Sequence, residues 1–524
     1  MKQNNDPETA GMRGRRRRLR YNAVSALLMQ LVSAISGFIL SKRYIQCFGS
    51  EAKGLAGSAS QFLSLTGLLG LGVGAVIQSS LYKPLADSDR GKIIEIIGAG
   101  KRYFRKLGYI VCGYIAVAIF IFPQITGTAV EWTYSVGLLL IMSISYLAQY
   151  FICSTDDILL RADQREYIYN LFFMLASAVN IVVCLTMISH GTTLLRVELA
   201  TALILLTPML LCRFYNKRHY RIDRKSLRGN SRIENKWDGV AQHIAMIALD
   251  NTDMVSLSVF SLSNVSVYSV YYAVVNSIKL YISSLFNGFM PLMGEMWARN
   301  KLEELKQLFG QLEWFVHTCT AYIFTCVGVL IIPFVQIYTS GITDANYIQP
   351  VFAALLTVAN AMYCLRMPYN MLILATGQYK QTQVSYVVMS VMKVAISVIC
   401  VWLFGLVGVA IGSLAALLYQ TVWMALYKSK HLFNEQTSVF WKQVAFDVLS
   451  AGVGAFVVRL FRFSADTYLS WFVIALKTVL IVGAVFVVLN LVFYRERTMN
   501  ALHILKTKSK RTGNNVQEIS EKSA

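Results

Sequence analysis

Ile247-Ala-Leu-Asp250-Asn-Thr-Asp253, then Asn264-Val-Ser-Val-Tyr268-Ser-Val-Tyr271-Tyr272 and on through Lys279 to Phe289-Met-Pro291-Leu-Met293, is the stretch that decides the fold. It is apolar enough for the interior of a bilayer, yet it carries charge. A charged side chain near the middle of a membrane helix costs roughly 2.5–3.5 kcal/mol on insertion scales, so it faces a partner or a wet cavity. Asp250 and Asp253 are spaced to share one face of a helix. Lys279 lies at comparable depth on the following segment.

The chain on either side has the same character. Hydrophobic residues make up 56% of the 524 and charged ones 15%, and mean hydropathy is +0.51. Length alone would suggest two or three soluble domains. Apolar runs of about 20 residues, long enough to cross the hydrocarbon as helix, override that. Short alternating segments of barrel type are absent, so the class is an all-α, polytopic membrane protein. The first apolar run is long and lacks a clear small-residue cleavage site, and it reads as a retained helix.

About fourteen membrane helices are expected, near 22–45, 55–81, 107–122, 132–153, 167–188, 195–212, 240–262, 265–293, 314–338, 349–376, 384–404, 406–427, 439–460 and 468–494. The Gly-rich run Leu68-Leu-Gly-Leu-Gly-Val-Gly-Ala has no preceding strand and no following Lys-Ser/Thr, so close helix packing is expected there and not a phosphate loop. The net charge of +21 does not indicate nucleic acid. Most Lys and Arg fall in alternate loops on the side of the N-terminus, the asymmetry that orients membrane proteins, and this predicts that both termini are cytoplasmic. The nine cysteines are scattered without a CxxC pair, so buried apolar thiols are expected, with no metal site and no disulfide framework.

A weak repeat divides the chain. Asp87-Ser-Asp-Arg90-Gly-Lys92-Ile-Ile-Glu95 follows the second segment, and Ala298-Arg299-Asn-Lys301-Leu-Glu303-Glu-Leu-Lys306 follows the eighth. Two six-helix halves would produce this spacing. The expected organisation is a basic tail (1–20), a first six-helix lobe (21–212), a basic linker (213–238), a second lobe (239–430), two added helices (431–494) and a polar tail (495–524).

Three stretches resemble the polysaccharide-transporter (O-antigen and capsular polysaccharide flippase) branch of the multidrug/oligosaccharidyl-lipid/polysaccharide flippase superfamily. They are Leu249-Asp250-Asn-Thr-Asp253 leading into 264–273, Phe289-Met-Pro291-Leu-Met293 with its charged link to Phe309, and Arg366-Met-Pro368-Tyr-Asn370 running to Gly377-Gln378. The helix plan resembles the family too. The resemblance implies two lobes around a V-shaped cavity that opens alternately to each side. It implies undecaprenyl-diphosphate-linked oligosaccharide as cargo, moved across the bacterial cytoplasmic membrane without covalent chemistry. A polysaccharide polymerase and glycosyltransferases are the candidate partners.

The charged and aromatic residues inside the segments carry the site expectations. Arg366, Lys279, Lys393 and Arg43 are candidate cations for a diphosphate headgroup, because a low-dielectric cavity magnifies their pull and Arg grips phosphate oxygens in pairs. The other reading is that each pairs with an acid or snorkels to an interface, and Arg43, Lys42 and Lys477 read that way first. Asp250 and Asp253 either exchange H⁺ or Na⁺ in a coupled cycle or serve as countercharges for Lys279 or Arg366. Tyr268, Tyr271, Tyr272 and Tyr363 either stack on sugar rings or pack the core. Pro208, Pro291 and Pro368 are expected to interrupt helices and permit bends. Asp447 and Arg459 have no second motif beside them and read as structural.

Catalytic residues and organic cofactors are not expected. A drug/cation antiporter would gather acids in its pathway, whereas here the buried bases at least match them. A lipid II flippase shares the plan and the headgroup. A membrane polymerase or ligase would need a large outer loop, and every outer loop is short.

Overall fold

The computed structural model describes residues 7–70, 73–87, 89–126, 131–220, 240–286, 288–461 and 466–499. Most of the basic linker (221–239), most of the polar tail (500–524) and the start of the chain (1–6) lie outside the described residues. In chain order the α-helices are α1 (Pro7–Ser64), α2 (Val73–Ala86), α3 (Arg90–Ile125), α4 (Trp132–Ala148), α5 (Ser154–Ala162), α6 (Glu166–Ser189), α7 (Leu194–His219) and α8 (Val240–Phe260). They continue as α9 (Leu262–Phe286), α10 (Phe289–Ala298), α11 (Leu302–Tyr338), α12 (Pro350–Ala375), α13 (Tyr379–Phe404), α14 (Leu406–Tyr427), α15 (Ser438–Arg459) and α16 (Tyr468–Phe493).

Among the described residues, eleven helical stretches are long and apolar enough to cross a membrane. The other expected spans are the arm of α1 beyond its kink, which is continuous with its first arm in that count, and the polar pair α8 and α9. α1 turns at Gly49, whose φ of 85° and ψ of 167° suit a residue without Cβ.

The helices are inside-out relative to those of a soluble protein. On α13, Thr382, Ser385, Lys393 and Ser397 are buried, while Val384, Val391, Ile399, Trp402 and Leu403 are exposed. Polar groups face other helices and apolar ones face outward, as a hydrocarbon solvent requires. The chain is a multi-pass membrane protein.

Two segments expected to be continuous are broken. The 55–81 segment is not one helix: Leu65–Gly70 is a 3-10 turn and α2 begins at Val73, with residues 71 and 72 of the Gly-rich run outside the described residues, while Gly74 packs against Ile158 of α5. Segment 265–293 divides into α9 and α10. Pro291 therefore falls in the first turn of α10, where a missing N–H costs nothing, and does not bend a continuous helix. Pro208 and Pro368 do sit inside α7 and α12. Each break is followed by a short helix and then a long one, α3 of 36 residues and α11 of 37. The two polar motifs that suggested a repeat open these two long helices. Asp89 caps the first of them by accepting from the Lys92 N–H, which holds its carboxyl below the usual range.

α1 to α7 pack among themselves, as do α8 to α14, and α15 and α16 lie against α11. The main contacts between the two halves run from α1 and its 3-10 extension to α8 and α9. That seam is tight at Gly54, where an added Cβ would stand 1.8 Å from the Leu262 carbonyl oxygen. Backbone cannot yield as a side chain can. Gly54→Ala is expected to cost about 1–3 kcal/mol as overpacking, read as a lower unfolding temperature in detergent.

Candidate functional site

The polar residues of α8 and α9 gather beside the seam. Ser64 at the end of α1 donates to the Asn251 Oδ1 of α8, joining the halves. One step along α8, Asp250 accepts from Lys279 of α9, with Nζ–Oδ1 at 3.2 Å. The lysine is nearly buried, whereas the Asp250 side chain is 44% exposed, so the pair opens on one side. Lys279 Nζ also stands 4.6 Å from the ring centre of Tyr363 and 5.6 Å from that of Tyr272. The Arg366 guanidinium lies 4.9 Å over the same Tyr363 ring. Two cations thus share one half-buried aromatic ring, held by α9 and α12.

Asp253 is compensated separately. It meets Lys393 of α13 at 2.9 Å and accepts from Tyr268 Oη and Ser413 Oγ, each at 2.9 Å. Lys393 in turn donates to Ser413 Oγ at 2.6 Å. All four side chains are buried. In low dielectric such a group holds together only when every member is satisfied, and removing one leaves an uncompensated charge.

Of the expected site residues, Lys279, Arg366, Asp250, Tyr272 and Tyr363 are brought together. Lys393 and Asp253 form the adjoining closed group. The carboxylate expected to answer Lys279 or Arg366 is Asp250 for Lys279, while Asp253 answers Lys393. Tyr268 is packed against Tyr272 and Phe352 with its hydroxyl engaged, which is the core-packing reading. Tyr271 likewise sends its hydroxyl to the Tyr347 carbonyl.

Arg43 lies elsewhere, exposed at the rim of a cavity of about 630 Å³ with Lys42, Phe334, Tyr338 and Tyr468. Lys42 there donates to Tyr468 Oη at 2.7 Å. A second, apolar cavity of about 440 Å³ shares Phe38 and Phe334 with it and runs between α9, α11 and α16. The two cavities are neighbours, the first lined by Lys42 and Arg43 and the second almost wholly apolar.

Beside the α1 kink the halves are latched. Asp344, in the α11–α12 loop, accepts from the Ser50 N–H at 2.6 Å and from Ser50 Oγ at 2.8 Å, just past the Gly49 kink. Tyr347 Oη bridges Ser50 Oγ and Ser266 Oγ at 2.6 and 2.9 Å. This loop closes the seam from one side. Asp344→Ala is expected to loosen it, raising several-fold the labelling of a Ser266→Cys probe by a membrane-impermeant thiol reagent.

Sequence reasoning missed the latch and a buried cluster around His317. Asp447 is not isolated: its Oδ2 is 2.6 Å from His317 Nδ1. Glu313 and His317, one turn apart within an apolar helix, were the signal that could have found it.

The fold is a membrane bundle whose two halves meet at a charged, partly open seam. Solved structures share this fold. A lipid II flippase MurJ in an inward closed conformation matches with a TM-score of 0.66 and 14% identity, over 91% of this chain and 99% of that one. An inward-facing multidrug resistance MATE family transporter of the MOP superfamily matches at 0.60 and 16% identity, over 77% and 98%. A MOP superfamily transporter from Pyrococcus furiosus, described as having reverse polarity in its binding pocket, matches at 0.51 and 13%, over 79% and 95%. No family model matches the sequence, and no curated protein does. At these identities the likeness is one of fold.

Proposed function

We propose that this protein is a flippase that moves an undecaprenyl-diphosphate-linked oligosaccharide across the bacterial cytoplasmic membrane by alternating access, for surface polysaccharide such as capsule or O-antigen. In this reading both termini are cytoplasmic, and a polymerase and glycosyltransferases work on the same carrier. The observation that carries the proposal is the pair of cations, Lys279 and Arg366, over one ring beside the open carboxylate of Asp250. A diphosphate entering there would meet a preformed ammonium and a guanidinium fork in low dielectric. Sugars would reach the half-buried rings of Tyr272 and Tyr363. The apolar lateral cavity supports the same reading, since it offers a place for a hydrocarbon chain outside the polar seam.

The test is reconstitution. Proteoliposomes are loaded with a fluorescent polyprenyl-diphosphate oligosaccharide, a lipid II analogue or a lipophilic cation. Transbilayer movement of the first is expected to exceed that of the other two by at least tenfold. Preferred movement of lipid II would assign the peptidoglycan precursor instead, and movement of the cation alone would make the protein an antiporter.

A further inference from the structure

Away from the seam, five polar side chains are buried where α11, α12, α15 and the π-helical turn after α14 (Lys428–Phe433) converge. His317 and Tyr369 are fully buried, Lys428 is 1% exposed, and Glu313 and Asp447 are 5% exposed. They form a chain. Asp447 Oδ2 lies 2.6 Å from His317 Nδ1, and His317 Nε2 lies 3.2 Å from Tyr369 Oη. Tyr369 Oη donates to Glu313 Oε1 at 2.7 Å, and Lys428 Nζ is 3.5 Å from that same oxygen. Lys428 then reaches Glu435 at 3.4 Å, and Glu435 is 34% exposed in the α14–α15 loop.

The hydrogen-bond partners along this chain constrain its protonation. Tyr369 has one hydroxyl proton, and the 2.7 Å contact commits it to Glu313. The phenol oxygen then turns a lone pair to His317 Nε2, which must donate. Nδ1 lies 2.6 Å from Asp447 Oδ2, an oxygen that accepts when Asp447 is ionised, and there it donates as well. Both ring nitrogens carry hydrogen only in the imidazolium. Charge points the same way: Glu313, Asp447 and the part-exposed Glu435 outnumber Lys428, and a proton on His317 reduces the negative excess. The remaining groups from neighbouring elements do not supply that charge. Gln443 donates to Asp447 Oδ1 at 3.1 Å, and Asn490 of α16 is taken by Trp314. Arg497, beyond α16, donates to the Gly310 carbonyl and lies over Tyr494.

We infer that His317, Asp447, Tyr369 and Glu313 form a binding site for a single exchangeable proton, reached from the loop bearing Glu435, and that loading and unloading this site drives the transport cycle. Loss of the proton would leave His317 Nε2 as an acceptor. The Tyr369 hydroxyl would then turn from Glu313 to His317, exchanging one α11–α12 contact for another and weakening the hold of Asp447 on α11. The result is a two-position switch between the second half and the added helices. The coupling part rests on the transport reading above; the proton site does not.

Two measurements test it. Histidine-¹⁵N spectra of the purified protein at pH 7 need no cargo. They are expected to show a doubly protonated ring that is absent in His317→Gln, and a neutral His317 would overturn the site. In proteoliposomes, an imposed pH gradient is expected to change the flipping rate of the wild type at least tenfold. Tyr369→Phe, which keeps the ring and loses the hydroxyl, is expected to remove that dependence. A wild type indifferent to the gradient, or a Tyr369→Phe variant that responds as fully as wild type, would overturn the coupling. A wild type that moves no lipid at all would refute the transport reading and with it the coupling, while the histidine spectrum still decides the proton site.

Discussion

On the flippase proposal, Arg366→Ala is expected to abolish surface polysaccharide while the protein inserts at its normal level, because Arg366 is the more buried of the two cations over Tyr363. The guanidinium is 2% exposed and lies over Tyr363, away from bulk water. Each hydrogen bond from a charged donor to phosphate is worth about 1.5–3 kcal/mol, and every 1.4 kcal/mol is tenfold in affinity. Loss of a two-pronged grip therefore lowers headgroup affinity by about a hundredfold or more. Arg366→Lys keeps the charge and loses the fork, so it should fall between wild type and alanine. Lys279→Ala should act similarly, with one added consequence, because it leaves Asp250 without its cation. Membrane content by immunoblot and export by glycan staining are the two readouts. Undiminished export by Arg366→Ala would remove this residue from headgroup binding.

The second large effect is expected at Asp253 and Lys393. Both side chains are almost wholly buried and meet at 2.9 Å. Lys393→Met strands the carboxylate with only the Tyr268 and Ser413 hydroxyls as partners, and Asp253→Leu strands the ammonium. Breaking one side of a buried pair typically costs about 3–5 kcal/mol, whereas replacing both sides with apolar groups is often neutral. The double variant Asp253→Leu/Lys393→Met should therefore recover most of the unfolding temperature lost by either single variant. The same variants separate structure from coupling. A double variant that is stable and transports makes the pair a packing device. One that is stable and inactive makes Asp253 part of the cycle.

Several features of the site were legible in the order of residues alone. Asp250 and Lys279 sit on consecutive apolar segments at matching depth, and their pairing follows from the cost of leaving either alone. The assignment of Asp253 to Lys393 was not legible. The two are 140 residues apart, and nothing local distinguishes Lys393 from Arg366 as a partner. The His317 cluster was obscure for a related reason. Its members come from α11, α12, α15 and a π-helical turn, so in the sequence they stand as isolated polar residues at ordinary-looking helix positions. The separate starts of α2 and α10 were hidden because hydropathy does not change at Val73 or Phe289, where those helices begin. Tyr268 shows the opposite case, an aromatic in a suggestive motif whose hydroxyl is committed to Asp253.

The sequence by itself determined the class of the molecule, the positions of many of its apolar helices, and the fact that costly charges lie within them. Each is a property of a residue and its near neighbours weighed against hydrocarbon. Only the tertiary structure decided which carboxylate answers which cation, where the Ser50–Asp344 latch closes the seam, and that His317 and Asp447 touch. Those outcomes depend on which helix faces pack together. The energy of a buried charge is set by the atoms a few ångströms away, whatever their distance along the chain.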